Sequence, residues 1–455
     1  MKFIISFCLS LFVINFSFAN GKFTKPVDSS NIIAKTIATK ILNDGIALYQ
    51  QGRNQEALIK FREASEKDPG NWKSVFYISK VSYDQRNYPL ALSQIKSAFK
   101  IKDAVKSGDL MEQYARSLHR LGKIDSAMFY YKKAKGLLTK SLNKELHVEL
   151  HIKQCEFAKK EMASGKKSKR KTMSRRVNSK FHEYAPIICD SGRVLYFTSR
   201  RSDTKGKSLN PADQQYFEDI YIAKWNPKIN DWDSTTNKIR KFNSPGFDAL
   251  TYISPDFKRG LLTVNTEACV KVTTRGSDIF ETKKGRSGIF STPRIIKNKT
   301  INTTFFEGSA TMTSDGKTMY FVTDRNYEKK ATDLWVVKKE GRKWGKAKAL
   351  PDIINTSGRE TTPYITPDGK HLFFSSNGHV GMGGFDIYVS TKNKKGEWGK
   401  PINLGSIVNT VNDDTHFQYY PELKKAVMAS LEVKKGKSNI DIYEVDVTNF
   451  TIPKK

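Results

Sequence analysis

The chain has 455 residues, of which 38% are hydrophobic and 11% aromatic, enough apolar side chains for globular domains and too many for global disorder. Lysine and arginine number 78 against 46 acidic residues, which gives a formal net charge of +32 at pH 7. Such a field favours acidic partners, namely nucleic acid, anionic lipid, acidic glycan or acidic protein surfaces, and it carries no information about the fold.

Residues 1–19 have the pattern of a secretory signal peptide. Lys2 precedes an apolar run from Phe3 to Phe16, and Ser17-Phe18-Ala19 places small residues at a cleavage site. The run is short for a membrane span, and no later segment is apolar enough to cross a bilayer. We therefore predict an exported, periplasmic protein without a transmembrane segment in its mature chain, and export argues against nucleic acid as the partner.

Three cysteines remain after the predicted cleavage: Cys155, Cys189 and Cys269. Their odd number and wide spacing predict neither a disulfide framework nor a Cys-x-x-Cys metal site. His147, His151 and Cys155 recur every four residues on one predicted helix, so zinc binding by that face is an alternative. Because no fourth ligand accompanies them, we predict no metal and no cofactor.

Small and aromatic residues recur with a period of 34 to 36 residues between about positions 38 and 163. The first unit carries Gly45, Tyr49, Gly52, Ala57, Phe61, Ala64 and Pro69, and matching positions follow in two further units. The pattern resembles the tetratricopeptide repeat family, which implies paired helices stacked in an α-solenoid. We assign residues 28–163 to this domain, with 141–163 as a capping helix that turns Leu142, Leu146 and Leu150 toward the repeats.

In that family the first helix of each unit lines a concave groove. The resemblance implies a partner-binding groove formed by Asn43, Tyr49, Gln50, Lys73, Tyr77, Lys80, Tyr83, Gln113, Arg116, His119 and Arg120. Basic and aromatic side chains together suit an acidic, extended peptide. Leu42 and Ile46 replace the lysine and asparagine of the chaperone-type carboxylate clamp, so that clamp is not expected. The alternative is a groove that is merely solvated.

Residues 164–176 are basic and lack apolar periodicity, so we predict an interdomain linker, with contact to an anionic surface as the alternative. From residue 177 to 455 a five-fold pattern follows: Asn, then Ser or Thr, three free positions and an acid. It comprises Asn178-Ser179…Glu183, Asn243-Ser244…Asp248, Asn302-Thr303…Glu307, Asn355-Thr356…Glu360 and Asn409-Thr410…Asp414. A second marker, Asp-Ile-Tyr or a variant of it, starts at residues 219, 278, 333, 386 and 441.

Asp-Gly turns and β-rich runs between these markers give four strands per unit, which is typical of a propeller blade. This order of strands, turns and markers resembles the WD40-like propeller repeats of the TolB type, and the resemblance implies five blades. We expect residues 172–177 to close the ring by pairing with the last blade. Two hairpin turns depart from the pattern, at residues 255–260 and 420–425, so we expect those blades to be irregular.

The repeated Asn, Ser/Thr and acid have two interpretations. Short polar side chains satisfy backbone groups at blade junctions, and recurrence in every blade favours that structural role. The alternative is a ring of acids that binds a cation in the central channel. The sequence contains no G-x-S-x-G, P-loop, G-x-G-x-x-G or H-E-x-x-H motif. We interpret the glycine-rich segment 377–384 as a flexible loop, since it precedes a strand rather than a helix.

The order of signal peptide, tetratricopeptide repeats and propeller resembles the PorE-type periplasmic proteins of the Bacteroidota type 9 secretion system. Those relatives carry an OmpA-like domain after the propeller, which this sequence lacks, so peptidoglycan anchoring is not implied. The resemblance implies a non-enzymatic, outer-membrane-associated adaptor that binds proteins, in secretion or gliding machinery. The alternatives are a module for an anionic envelope glycan (peptidoglycan or lipopolysaccharide) and, the weakest, a hydrolase or lyase built on the propeller.

Overall fold

A computed structural model of the chain describes residues 32–101, 104–210, 213–239, 241–268, 276–326, 331–434 and 437–452. The predicted signal peptide and Cys269 lie outside these residues. Among the described helices, none is both long enough and apolar enough to span a bilayer.

The N-terminal part is a helical array built from pairs. Its helices are α1 (Ile32–Gln50), α2 (Asn54–Lys67), α3 (Trp72–Asp84), α4 (Tyr88–Ala98), α5 (Gly108–Arg120), α6 (Ile124–Leu137), α7 (Lys140–Glu145) and α8 (Val148–Ala163). Small residues bring the paired helices close, because a Cβ at Gly45 in α1 would lie 2.7 Å from the Phe61 ring of α2. The array therefore confirms the predicted α-solenoid of helix pairs.

The capping region differs from the single predicted helix. His147 adopts a left-handed conformation (φ 51°) and separates α7 from α8. Leu146 packs against the helical core cluster, whereas Leu142 and Leu150 are half-buried and are not among its described members. The side chains of α8 that are buried in the helical core are Val148, Ile152, Cys155 and Ala158.

The C-terminal part consists of five antiparallel sheets, each forming one blade. Blade 1 contains β2 (Glu183–Cys189), β3 (Val194–Ser199), β4 (Asp219–Asn226) and β5 (Asp231–Trp232). Blade 2 contains β6 (Phe247–Ile253), β7 (Arg259–Asn265), β8 (Asp278–Lys283) and β9 (Arg294–Ile295). Blade 3 contains β10 (Glu307–Met312), β11 (Thr318–Thr323), β12 (Asp333–Glu340), β13 (Lys343–Trp344) and β14 (Lys348–Ala349). Blade 4 contains β15 (Glu360–Ile365), β16 (His371–Ser376), β17 (Asp386–Thr391) and β18 (Ile402–Asn403).

Blade 5 joins both ends of the propeller. It consists of β19 (Asp414–Tyr420), β20 (Lys425–Lys434), β21 (Lys437–Asp446) and, as its outer strand, β1 (Arg170–Thr172). Arg170 pairs with Val445 and Thr172 with Tyr443, so the ring closes slightly earlier in the chain than the predicted 172–177. Part of the predicted linker is therefore a strand of the propeller.

The two unusual hairpin turns do not disturb their blades. Gly316 and Gly369 take the positive φ of the turn in blades 3 and 4, at 67° and 70°. Phe257 and Lys424 adopt the same conformation in blades 2 and 5, at 56° and 53°. A side chain at positive φ costs about 1 kcal/mol, which the flanking strand pairing offsets. Both blades keep the strand order of the others, and the expected irregularity is limited to the inner strand of blade 2, which shifts register between Leu250 and Tyr252 without a residue at positive φ.

The middle of the propeller is closed. The inner strands of four blades carry a bulge with a positive φ, at Ala185, Ser309, Thr362 and His416. These residues surround a space of only about 10 Å³. The propeller therefore has two separate ends, which we call the acid end, where the inner strands begin, and the turn end, where the β-hairpins turn.

Candidate protein-interaction surface

The helical array packs against the acid end of blades 4 and 5. His119 of α5 places its Nε2 2.8 Å from the carbonyl oxygen of Met382, to which it donates a hydrogen bond. Arg120 donates from Nη1 to the carbonyl oxygen of Val411 at 3.1 Å and lies 3.3 Å from Oδ1 of Asp413. The last helical repeat is thus fixed to loops that lie nearly three hundred residues further along the chain.

Further contacts flank this pair on both sides. Arg86 lies 3.5 Å from the second oxygen of Asp413, and Tyr83 and Tyr88 pack in one buried cluster with Leu431 of β20. At the far side, a carboxylate oxygen of Glu161 in α8 accepts a hydrogen bond from the amide of Ser406 at 3.0 Å. Together these contacts hold the helical array in one orientation on the propeller.

This docking changes the accessibility of the predicted groove. Tyr83, Gln113 and His119 are buried, so a partner does not reach them in this arrangement. Arg120 is committed to the propeller by the contacts described above. The remaining members are exposed or half-buried on α1, α3 and α5: Asn43, Tyr49, Gln50, Lys73, Tyr77, Lys80 and Arg116. Their role in partner binding stays a prediction.

A cluster of cations and rings occupies the open part of the groove. We call it the basic-aromatic patch and define it by Tyr49, Phe76, Tyr77, Lys80 and Arg116. The ammonium of Lys80 lies 5.5 Å from the ring centroid of Tyr49 and 5.8 Å from that of Tyr77. Cation–π contacts of this kind hold the lysine against the rings and leave its charge available to a ligand.

Two acids lie beside the patch, the buried Glu112 and the exposed Asp84. Burial raises the pKa of Glu112 to about 7, against the opposing charges of Arg116 and Lys80. One oxygen of Glu112 is 3.6 Å from Nε of Arg116. The hydroxyl of Tyr49 donates to Asp84 at 2.5 Å, and burial together with that carboxylate raises the pKa of Tyr49. The acids hold the patch in place and reduce its net positive charge.

A cleft of about 270 Å³ remains between the two domains, next to the patch. Its lining includes Arg116, Arg120, His119 and His151 on the helical side and Arg359 on the propeller side. Burial lowers the pKa of His119 to about 4 and that of His151 to about 3, so both imidazoles are neutral near pH 7. The arginines are therefore the cationic groups of the cleft.

The histidines and cysteine of α8 do not form a ligand set. No cluster of three or more metal-ligating side chains occurs in the part of the chain that the structure describes. His151 binds Gln154 at 2.9 Å, whereas the thiol of Cys155 lies 3.7 Å from Nδ1 of His119. Burial raises the pKa of the Cys155 thiol to about 12, so it is protonated at neutral pH and acts as a packed core residue.

The repeated asparagines connect neighbouring blades. Asn355 accepts a hydrogen bond from the amide of Leu334 at 2.8 Å and donates to the carbonyl of the same residue at 3.0 Å. The equivalent pairs in the other blades are Asn178–Ile442, Asn243–Ile220, Asn302–Ile279 and Asn409–Ile387. Each partner directly follows the aspartate of the Asp-Ile-Tyr marker, so the two sequence markers form one structural unit.

The acid of each repeat folds the connecting segment. Glu360 accepts from the amide and hydroxyl of Thr356 at 2.9 and 2.7 Å, and from the hydroxyl of Ser376 at 2.6 Å. The matching acids are Glu183, Asp248, Glu307 and Asp414, each bonded to the Ser or Thr four residues earlier. This geometry supports the structural interpretation, because all five carboxylates receive protein donors, although Oδ1 of Asp248 has none.

Sequence reasoning missed the propeller side of the domain interface. The segment 377–384 was expected to be a flexible loop, yet Met382 is buried in the helical core cluster. The expectation was therefore wrong, because glycines here allow close approach: a Cβ at Gly384 would lie 2.0 Å from Nη1 of Arg120. One local signal was available, since Asp413 adds a second acid directly before Asp414, a position held by His, Phe or Arg in the other repeats.

No protein-family model matches the chain, and no curated protein matches it. The helical part is similar to the Yersinia enterocolitica type III secretion chaperone SycD in complex with a peptide of the translocator YopD, with 18% identity over 28% of this chain and 99% of that one (TM-score 0.26). It is also similar to the first tetratricopeptide domain of Spaghetti bound to an HSP90 peptide, at 17% identity over 29% and 96% of the chains (TM-score 0.25). A structure described as a glycoside hydrolase aligns over 62% of this chain and 93% of its own at 12% identity (TM-score 0.41). Similarity at this level assigns no function to the chain.

Proposed function

We propose that the protein is a non-enzymatic adaptor whose basic-aromatic patch binds an acidic, extended segment of a protein partner. The observation that supports this most directly is the state of Lys80, whose ammonium lies among three rings on the open half of a concave surface. An extended peptide fits such a surface through charge-assisted hydrogen bonds and flat aromatic contacts. The fixed propeller then acts as a second platform.

The cellular setting belongs to the same proposal. The predicted signal peptide and the resemblance to PorE-type proteins point to the periplasm and to the outer membrane, within secretion or gliding machinery. The net charge of +32 would draw the protein toward acidic surfaces there. It equally motivates the alternative of binding to an anionic envelope glycan, which the experiment below separates from protein binding.

A photo-crosslinking amino acid at position 80 tests the adaptor proposal in the native envelope. Lys132 is the matched control, because it is an exposed lysine on α6, outside the predicted groove. We expect a discrete protein adduct from position 80 and not from position 132, and its loss when Arg116→Glu is added to the same chain. Equal crosslinking at both positions would refute the proposal, and retention of the protein only on peptidoglycan or lipopolysaccharide, lost with salt, would favour the glycan alternative.

A further inference from the structure

A large cavity lies at the turn end of the propeller, opposite the helical array. It encloses about 770 Å³, within the range of ligand-binding pockets. We call it the funnel. Its walls come from the ends of the inner strands and from their hairpin turns, and blades 1, 2, 4 and 5 contribute most of its lining.

Aromatic and aliphatic side chains form the walls of the funnel. The rings of Tyr252, Tyr364 and Tyr419 line it together with Ile187 and Met312. The hydroxyl of Tyr364 donates to the carbonyl oxygen of Tyr419 at 2.7 Å, which fixes that ring in the wall. Such walls provide apolar contact area, and the faces of the rings also attract cations.

The charge of the funnel is opposite to that of the whole protein. Asp190, Asp368 and Glu422 line it, whereas no lysine or arginine is among its described lining residues. Asp190 also forms an ion pair with Arg193 at 2.8 Å, which reduces its contribution, so Asp368 and Glu422 supply most of the negative charge. The chain as a whole carries 78 lysines and arginines against 46 acids. Asp368 also accepts hydrogen bonds from the Thr366 hydroxyl and the Lys370 amide, which hold its carboxylate in place. A cationic group with an apolar body is therefore the complementary ligand.

A polypeptide segment already lies at the mouth of this cavity. After β21 the chain returns along blade 5, where Phe450 contacts Tyr419 with ring centroids 5.9 Å apart. Ile452 follows and is itself part of the lining. The wall thus accepts apolar side chains that are presented by a peptide backbone.

We propose that the funnel binds an extended segment of a partner protein in which a lysine or arginine stands between apolar residues. The apolar side chains contact the tyrosine walls, and the cation pairs with the three carboxylates. This site is independent of the basic-aromatic patch, because it lies at the other end of the propeller and has the opposite charge. Binding of a basic peptide by a protein of net charge +32 requires a local acidic site, since the overall field opposes it.

Fluorescence anisotropy with two labelled pentapeptides tests the proposal on the full chain. The probes are Leu-Lys-Phe-Lys-Leu and Leu-Glu-Phe-Glu-Leu at physiological salt. We expect the basic peptide to bind and the triple variant Asp190→Asn/Asp368→Asn/Glu422→Gln to weaken it by about tenfold, the effect of losing three modest charge contacts. The control variant Glu56→Gln/Asp125→Asn/Glu149→Gln removes the same charge from exposed helical positions and should leave binding unchanged.

The position of the bound peptide on the protein is tested separately with a benzophenone-bearing copy of the basic peptide. Crosslinks within residues 187–192, 252–257, 364–368 or 418–423 would support the funnel. The proposal is overturned if the basic peptide does not bind, if the triple variant and the control variant behave alike, or if the crosslinks fall on the helical array. The basic-aromatic patch is tested by crosslinking at position 80 to a protein partner. The two experiments use different sites and different ligands, so either proposal can fail while the other stands.

Discussion

Asp413→Ala tests whether the domain interface is a structural unit. The side chain of Asp413 is only 13% exposed and lies within 3.3 Å of Arg120 and 3.5 Å of Arg86. It also accepts a hydrogen bond from the amide of Phe385 at 3.2 Å. Burial alone would raise the pKa of Asp413, but the charges of Arg120 and Arg86 hold it below its usual value. The carboxylate is therefore ionised at neutral pH and joins the two domains.

Removal of this carboxylate leaves two arginines without their shared acid. Loss of one partner of a buried ion pair costs about 3 to 5 kcal/mol. We expect the lower end, about 3 kcal/mol, because the Arg86 side chain is 39% exposed and regains water. Arg120, with 16% exposure and hydrogen bonds to Tyr83 and Val411, has less freedom to do so. With a urea m-value of a few kcal/mol/M, the unfolding midpoint should fall by roughly 1 M.

Two optical signals separate the domains in this assay. Far-UV circular dichroism at the helical band follows the array, whereas tryptophan fluorescence follows mainly the propeller, since Trp72 is the only one of the 6 tryptophans in a helix. We expect coincident transitions in the unmodified protein and an earlier helical transition in Asp413→Ala. Asp125→Ala is the control, because its pair with Lys159 is exposed and contributes at most about 1 kcal/mol. Indistinguishable midpoints for the two variants would refute the reasoning.

Two further predictions concern single buried polar groups. Asn355→Ala leaves the amide of Leu334 unpaired at a blade junction, whereas the carbonyl of Leu334 keeps the amide of Leu350 at 2.9 Å, so the unfolding free energy should fall by about 2 kcal/mol. Asn393→Ala in an exposed turn should cost less than about 1 kcal/mol by the same urea titration. The raised pKa of Glu112, about 7, means that the folded protein binds a proton which the unfolded chain releases near pH 4.5, so stability falls between pH 4.5 and 7. Glu112→Gln should reduce that loss by about 2 to 3 kcal/mol, whereas an unchanged pH profile would contradict the assignment.

The fold was predictable because its information is local and repeated. The small residues of the helical units and the Asn-Ser/Thr-acid pattern each recur at a fixed spacing, and the asparagine makes the same backbone contact in every blade. Gly45 leaves room for the ring of Phe61, and Asn355 pairs with the backbone of Leu334, so each contact requires one particular residue type. Once the contact is understood in one repeat, the spacing of the pattern locates all the other repeats in the sequence.

The accessibility of the groove was harder to predict than the fold, because the residues that dock one domain on the other do not recur at a fixed spacing in the sequence. The bond from His119 to Met382 joins residues 263 positions apart. The positions of His119 and Arg120 on the concave helices suggested a free surface, and the structure instead places them against blades 4 and 5. The extra acid at Asp413 and the glycine-rich segment 377–384 distinguished this junction from the others in the sequence.

The arrangement of the two domains also allows two ligands of opposite charge to bind at the same time. The helices cover part of the acid end, the centre of the propeller is closed to about 10 Å³, and the funnel opens at the turn end. A ligand at the basic-aromatic patch therefore neither enters the funnel nor displaces its lining. On the two proposals above, the patch binds an acidic segment and the funnel a basic one, so two partners of opposite charge would bind at separate ends of the molecule, which is the geometry that an adaptor requires.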